Sequence, residues 1–160
     1  MYKVKMDGQT LYYPGDKEAV LTNPTLNLQT GYAGTFEFSV PPNNPLYDKI
    51  KNRSSMVSVF RDTTELFYGE VRKQPKVDRY RNKNVYCAGA MSFLADSIQP
   101  QAEYHDMTPR QMLETFLDIH NNQVEDRKKV YLGKVTITDA NDSLYRYTNF
   151  AVSYTHLRAH

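Results

Sequence analysis

The sequence predicts a mainly β chain of the α+β type, with one or two short helices. Three observations predict it. Over about the first hundred residues, short runs rich in β-branched and aromatic side chains are separated by turn residues. The chain carries 13 tyrosines and no tryptophan, and tyrosine suits half-buried sheet surfaces, where one end is apolar and the other polar. One stretch, after Thr108, combines a helix start with an apolar stripe at helical spacing.

The elements follow in order. Tyr2–Met6 alternates, and Asp7-Gly8 is a strong hairpin turn. Thr10–Tyr13 returns and is stopped by Pro14-Gly15. Thr25–Leu28 alternates, with Leu26 and Leu28 on one face. After the loop Gly31–Gly34, Thr35–Val40 places Phe36, Phe38 and Val40 on one face, as a half-buried strand requires. The proline-rich run Pro41–Pro45 ends it, and Leu46–Ile50 fits one helical turn. Met56–Phe60 is expected to pair with Leu66–Val71 across Asp62-Thr63-Thr64. A further hairpin joins residues near Val71–Val77 to Val85–Cys87 across Asn82-Lys83-Asn84. Ala90–Ala95 fits a short helix closed by Pro100. Thr108, Pro109 and Gln111 supply a cap, a proline at the first helical position and a capping box. Met112, Leu113, Phe116, Leu117 and His120 then form the apolar stripe, and Asn121-Asn122 ends the helix. Val130–Thr138 reads as a strand with a bulge at Gly133, and Asp139–Ser143 as a turn.

The last nine residues, Val152–His160, match one reading frame of a transposase adapter used to prepare sequencing libraries. The expectation is that they are a sequencing-adapter artefact and not native. The native chain then runs to about Phe150 or Ala151, as the amino-terminal fragment of a longer protein from a metagenomic read. Setting aside Arg158, 19 basic residues stand against 18 acidic ones, a net of +1. A charge so near neutral makes no electrostatic case for nucleic acid or an anionic membrane. The densest basic stretch, Arg72 to Lys83, is interrupted by Asp78 and reads as the wet face of a hairpin. A single cysteine excludes an intrachain disulfide framework and fits synthesis in a reducing cytosol. No stretch approaches the roughly 20 apolar residues of a membrane span.

The residue types that carry chemistry do not assemble into a motif. Cys87 lies inside a β run and reads as a small buried hydrophobe, not a nucleophile served by His105 or His120. His120 reads as a cation at the negative end of a helix dipole. His105 sits in a polar connection without a partner at ligand spacing. Asp139–Ser143 opens like a calcium loop, but the positions that need glycine and a bidentate glutamate hold Leu144 and Phe150. There is no glycine-rich phosphate loop and no zinc-spaced cysteine set. No local carboxylate pair predicts glycoside cleavage. No catalytic, cofactor-binding or metal-ligating residue, and no cofactor, is therefore expected.

Several segments, in order, carry a resemblance. They are Gly34-Thr-Phe-Glu-Phe-Ser-Val-Pro-Pro-Asn-Asn-Pro-Leu-Tyr-Asp48, then Val57-Ser-Val-Phe-Arg-Asp62 with Leu66-Phe-Tyr-Gly-Glu-Val71. After them come Asn84-Val-Tyr-Cys-Ala-Gly-Ala-Met-Ser-Phe-Leu-Ala-Asp-Ser-Ile-Gln-Pro100, the helix ending His120-Asn121, and Leu132-Gly-Lys-Val-Thr-Ile-Thr138. Together they resemble the amino-terminal region of phage tail-tip proteins, the prophage tail endopeptidase or tail-associated lysin family, across nearly all of residues 1–150.

The resemblance implies a β-barrel hub-like domain over 1–100 and, over 101–150, a helix and strand that start a second domain. It implies a virion structural protein, the tail-tip or baseplate hub, that closes the tail tube and takes part in host attachment and DNA delivery. The implied partners are two further copies in a homotrimer, the distal tail protein and the tape-measure protein. The implied location is the virion tail tip, after synthesis in the bacterial host cytoplasm. A hydrolase follows the hub in many relatives, yet no position here matches a catalytic residue of one, so the chain itself is not expected to be an enzyme. Two alternatives stay open: a peptidoglycan hydrolase whose catalytic region lies downstream, and a carbohydrate-binding adhesin module.

Overall fold

The computed structural model describes residues 1–138, 143–148 and 152–153. The chain divides into two compact units, Met1–Met91 and a second that begins at Ser92; each is taken by itself below.

The first unit is an antiparallel sheet that curls into a half-barrel. Its strands are β1 (Tyr2–Met6), β2 (Gln9–Tyr12), β3 (Thr22–Asn27), β4 (Thr35–Val40), β5 (Met56–Arg61), β6 (Thr64–Val71), β7 (Lys76–Val77) and β8 (Lys83–Gly89). They lie in the order β2-β1-β5-β6-β8-β4-β3, and the short β7 also pairs with β8. The expected mainly β class is what forms. The β1–β2 hairpin turns at Asp7 and Gly8, both with positive φ (49° and 80°), as a two-residue turn that follows the strand twist requires.

Alternation explains the core. Phe36, Phe38 and Val40 of β4 all face inward, as do Val4 and Met6 of β1, Val57 and Val59 of β5, and Val85 and Cys87 of β8. Period-2 geometry sends Glu37, Ser39, Asn84 and Tyr86 to the opposite face. Leu26 packs partly against the core, but Leu28, expected beside it, is 54% exposed because β3 has already ended at Asn27.

Both outer strands are blunted against further pairing. On β2 the Asn44 Nδ2 donates to the Leu11 carbonyl at 3.0 Å, and the Tyr13 amide donates to Ala19. On β3, Pro24 has no amide hydrogen, Asn23 has φ of 51°, and the register shifts between Thr22 and Thr25. Such devices keep an edge from templating aggregation.

One turn differs from expectation. Instead of Asn82–Asn84, the chain reverses over Asp78–Asn82, and β8 already starts at Lys83. The Asp78 carboxylate accepts from the amides of Tyr80 (2.8 Å) and Asn82 (2.9 Å) and from the Asn82 side chain (3.0 Å). The hydrogen bond from the Asn82 side chain, ahead of the two amides, holds the Asp78 carboxyl below its ordinary value. Aspartate organising its own turn outcompetes the Asn-Lys-Asn signal.

A 3-10 segment, Ala90–Asp96, spans the division between the units. The second unit contains β9 (Ile98–Gln99), β10 (Ala102–Met107), α1 (Pro109–Asn121), β11 (Leu144–Thr148) and β12 (Val152–Ser153). β10 pairs with β11, and β9 with β12, both antiparallel. Thr108 caps α1 with the expected capping box: its side chain accepts from the Gln111 amide, and Gln111 accepts in return. Met112, Phe116 and His120 are the buried stripe, at spacing of four. Leu113, expected to join them, is 44% exposed. Around Met112 and Phe116 pack Leu94, Tyr104, Met107 and Leu144, with the Tyr104 ring edge-on to Phe116 at 5.6 Å.

The expected strand Val130–Thr138 does not form. No strand is present over 130–138, and Tyr131 and Ile137 are largely exposed. A strand needs a neighbouring backbone for its amides and carbonyls, and the pairing in this unit is taken by β10 and β11 instead. The backbone of Val130 is held by Asn121, which both donates to it and accepts from it at 2.9 Å. Pro100, expected to close the preceding helix, follows β9. Of the expected turn Asp139–Ser143, residues 139–142 lie outside the described residues.

Candidate functional site

The residues that invite a catalytic reading are each engaged within their own unit. Cys87 is fully buried in the first unit, and burial pushes its thiol far above the ordinary thiol value. A nucleophile needs the thiolate, so this position is inert packing. His120 is also fully buried, within the second unit. Its Nδ1 lies 2.7 Å from the Ser97 hydroxyl, and its Nε2 lies 3.2 Å from the Lys128 carbonyl. A carbonyl can only accept, so these partners fit a ring that carries hydrogen on Nε2. His120 lies in the last turn of α1, as expected, and is at the same time a core histidine that ties α1 to the chain on either side of it. The sequence could not reveal this, because Ser97 and Lys128 are brought in by tertiary packing.

His105 is on β10, not in a loop. Its Nε2 lies 3.1 Å from Glu103, which also accepts from the Tyr145 hydroxyl at 2.9 Å, and its ring lies 4.8 Å from that of Tyr145. The hydrogen bond to Glu103 raises the Tyr145 phenol above its ordinary value. His105 also borders a cleft of about 460 Å³ beside α1, lined by Asp106, Gln111, Glu114, Thr115 and Asp118. Among the described residues, no three histidine, cysteine, aspartate or glutamate side chains are grouped so as to hold a metal ion. Also among them, no helix is long and apolar enough to cross a membrane.

The more organised concavity is on the polar face of the half-barrel, a groove of about 360 Å³ across β3, β4, β8 and β7. Two cross-strand rows make its floor. Thr25, Glu37 and Tyr86 are paired in register in one, and Ser39, Asn84 and Lys76 in the other. The Ser39 hydroxyl donates to Asn84 Oδ1 at 2.6 Å, which fixes the amide orientation. Lys73 stands over the Tyr86 ring, its Nζ 4.0 Å from the centroid. These residues carried no motif. Their signal was the polar half of the same alternation that buries Phe36, Phe38, Val85 and Cys87.

Compared with protein-family models the chain matches none, and a search of curated proteins returns no match. The class defined by fold and surface is therefore a curled antiparallel sheet domain followed by a smaller α+β unit.

Proposed function

We propose that this chain is the amino-terminal part of a phage tail-tip protein, a structural subunit of the baseplate hub. The observation that carries the reading is the curled half-barrel of residues 1–91, in the region where the resemblance expects a barrel-like hub domain. The two blunted edge strands fit a subunit whose contacts are made side by side through faces and loops, not by open-ended strand addition. Three copies would then repeat one heterologous interface around an axis. The ring would meet the distal tail protein on one side and the tape-measure protein on the other. The chain itself would carry no catalytic step, and any hydrolase activity would belong to sequence that follows it.

The test is the mass of the purified chain by light scattering during size exclusion, alone and co-expressed with the distal tail protein of a phage. A trimer, or a stable complex with the distal tail protein, supports the reading. A monomer that ignores that protein at high concentration overturns it. A zymogram on Gram-positive cell walls separates the enzyme reading, since clearing by this chain contradicts a structural role.

A further inference from the structure

We infer that the groove across β3, β4 and β8 is a binding site for an acidic oligosaccharide. The inference stands on the groove alone and not on the assembly reading.

The floor is a sheet face, and its chemistry is uniform in kind. Thr25 and Ser39 offer hydroxyls, Asn84 and Gln74 amides, and Glu37 a carboxylate. Neighbouring strands lie about 4.8 Å apart, so successive groups across the rows fall at intervals comparable to the breadth of a pyranose ring. A polyhydroxylated ligand laid across the strands meets a donor or an acceptor at each step. Tyr86 supplies the flat apolar patch that the C–H face of a sugar needs. The tyrosine is placed on the groove floor by its register with Glu37. The volume is within the range of small-ligand sites, roughly 300–1,000 Å³.

Charge narrows the class. Lys76 ends one row, Lys73 stands over Tyr86 at the end of the other, and Glu37 is the middle member of that second row. Two ammonium groups against one carboxylate favour a ligand with a negative group. A bare inorganic anion is disfavoured by Glu37, which instead accepts hydrogen bonds from hydroxyls. Lys73 already rests on the Tyr86 ring, so an arriving carboxylate or phosphate draws the ammonium aside and opens the ring face to the sugar. The shared chemistry is thus a hydroxyl-rich chain carrying a carboxylate or a phosphodiester.

The experiment is calorimetric titration of the whole chain, with amide chemical-shift mapping. Four probes are used: a uronic-acid tetrasaccharide, a phosphodiester-linked hexose oligosaccharide, neutral chitotetraose and an oligothymidylate. The expected result is binding of the uronic-acid or phosphodiester-linked oligosaccharide, with shifts confined to residues around Glu37, Asn84 and Tyr86. Which of the two binds identifies the source of the negative group. Tyr86→Ala and Lys73→Gln should each weaken that binding about tenfold, while the circular dichroism spectrum stays unchanged. Four results overturn the inference. They are no binding by either acidic probe, equal or tighter binding of chitotetraose, tighter binding of the oligonucleotide, and shifts that map elsewhere or survive the folded variants.

Discussion

Asn44, in the proline-rich loop after β4, is joined to Leu11 of β2: the Asn44 Nδ2 donates to the Leu11 carbonyl at 3.0 Å. The same nitrogen donates to Val20 at 3.0 Å, and the Asn44 Oδ1 accepts from the Leu46 amide at 3.0 Å. One side chain, 3% exposed, therefore satisfies backbone groups from three separate segments. Asn44→Ala leaves those groups buried with no replacement partner. Each buried group left unsatisfied costs about 1–3 kcal/mol, and some rearrangement will recover part of this. We expect a loss of about 3 kcal/mol in urea unfolding. A loss under about 1 kcal/mol would show that water replaces the amide and that the β2 edge is not held this way.

Phe38 tests the facing of the sheet. It is 3% exposed and its neighbour on the same face, Phe36, lies with ring centroids 4.8 Å away. Phe38→Ala should cost about 3 to 5 kcal/mol. Glu37→Ala, one residue away on the wet face, should cost under about 0.5 kcal/mol. Equal costs for the two, measured by denaturant titration, would mean that the alternation is misassigned.

These two positions show what the sequence made legible. Phe36, Phe38 and Val40 announce their strand, because period-2 burial is a local property that a run of six residues displays in full. The cap at Thr108 is local too, and forms as expected. Val130–Thr138 has the same strand-like composition, yet among the described residues no neighbouring strand pairs with it, and pairing is not local. Asn44 looks like one polar residue in a proline-rich loop; its partners are 33 and 24 positions away. The groove was legible only as the wet side of strands, since which strands come to lie side by side is a matter of pairing, and pairing is not local.

Gly89 is a position where close approach, and not backbone freedom, fixes the residue. A Cβ there would lie 1.9 Å from the Ala33 carbonyl oxygen and 3.2 Å from the Phe67 ring. Its amide donates to the Gly34 carbonyl at 3.0 Å, so the loop before β4 is held against the end of β8. Gly89→Ala must push that loop away or break the bond. We expect a loss of about 3 kcal/mol, at the upper end for an added methyl in a packed core. Gly133→Ala, where nothing lies within 4 Å, is the control and should leave the thermal midpoint within a degree or two. A neutral Gly89→Ala would show that the loop adjusts freely.

Helix α1 offers a smaller and cleaner test. Thr108→Ala removes the acceptor for the Gln111 amide, 3.1 Å away. The loss should be about 1 kcal/mol, with faster hydrogen exchange confined to the first turn of the helix. Faster exchange over the whole of α1 would indicate that the cap, and not the packing of Met112 and Phe116, holds the helix.

Cys87 links burial to pH. Burial raises the folded thiol above its ordinary value, while the unfolded thiol titrates near its usual pKa of about 8.5. The folded state therefore keeps its proton where the unfolded state loses it. This stabilising contribution is complete below the ordinary thiol value and declines as pH climbs above it. Two measurements follow. At pH 8 a thiol reagent should label native protein only at the rate of global or local opening, and addition of denaturant should make labelling fast. Cys87→Ala, compared with the parent between pH 7 and pH 10, should cost less at the alkaline end, because the parent alone loses the thiol contribution there. Fast labelling of the native protein at pH 8, or a Cys87→Ala penalty that does not shrink with rising pH, would show that the thiol is reachable by water and that the face of β8 carrying Val85 and Cys87 is not closed.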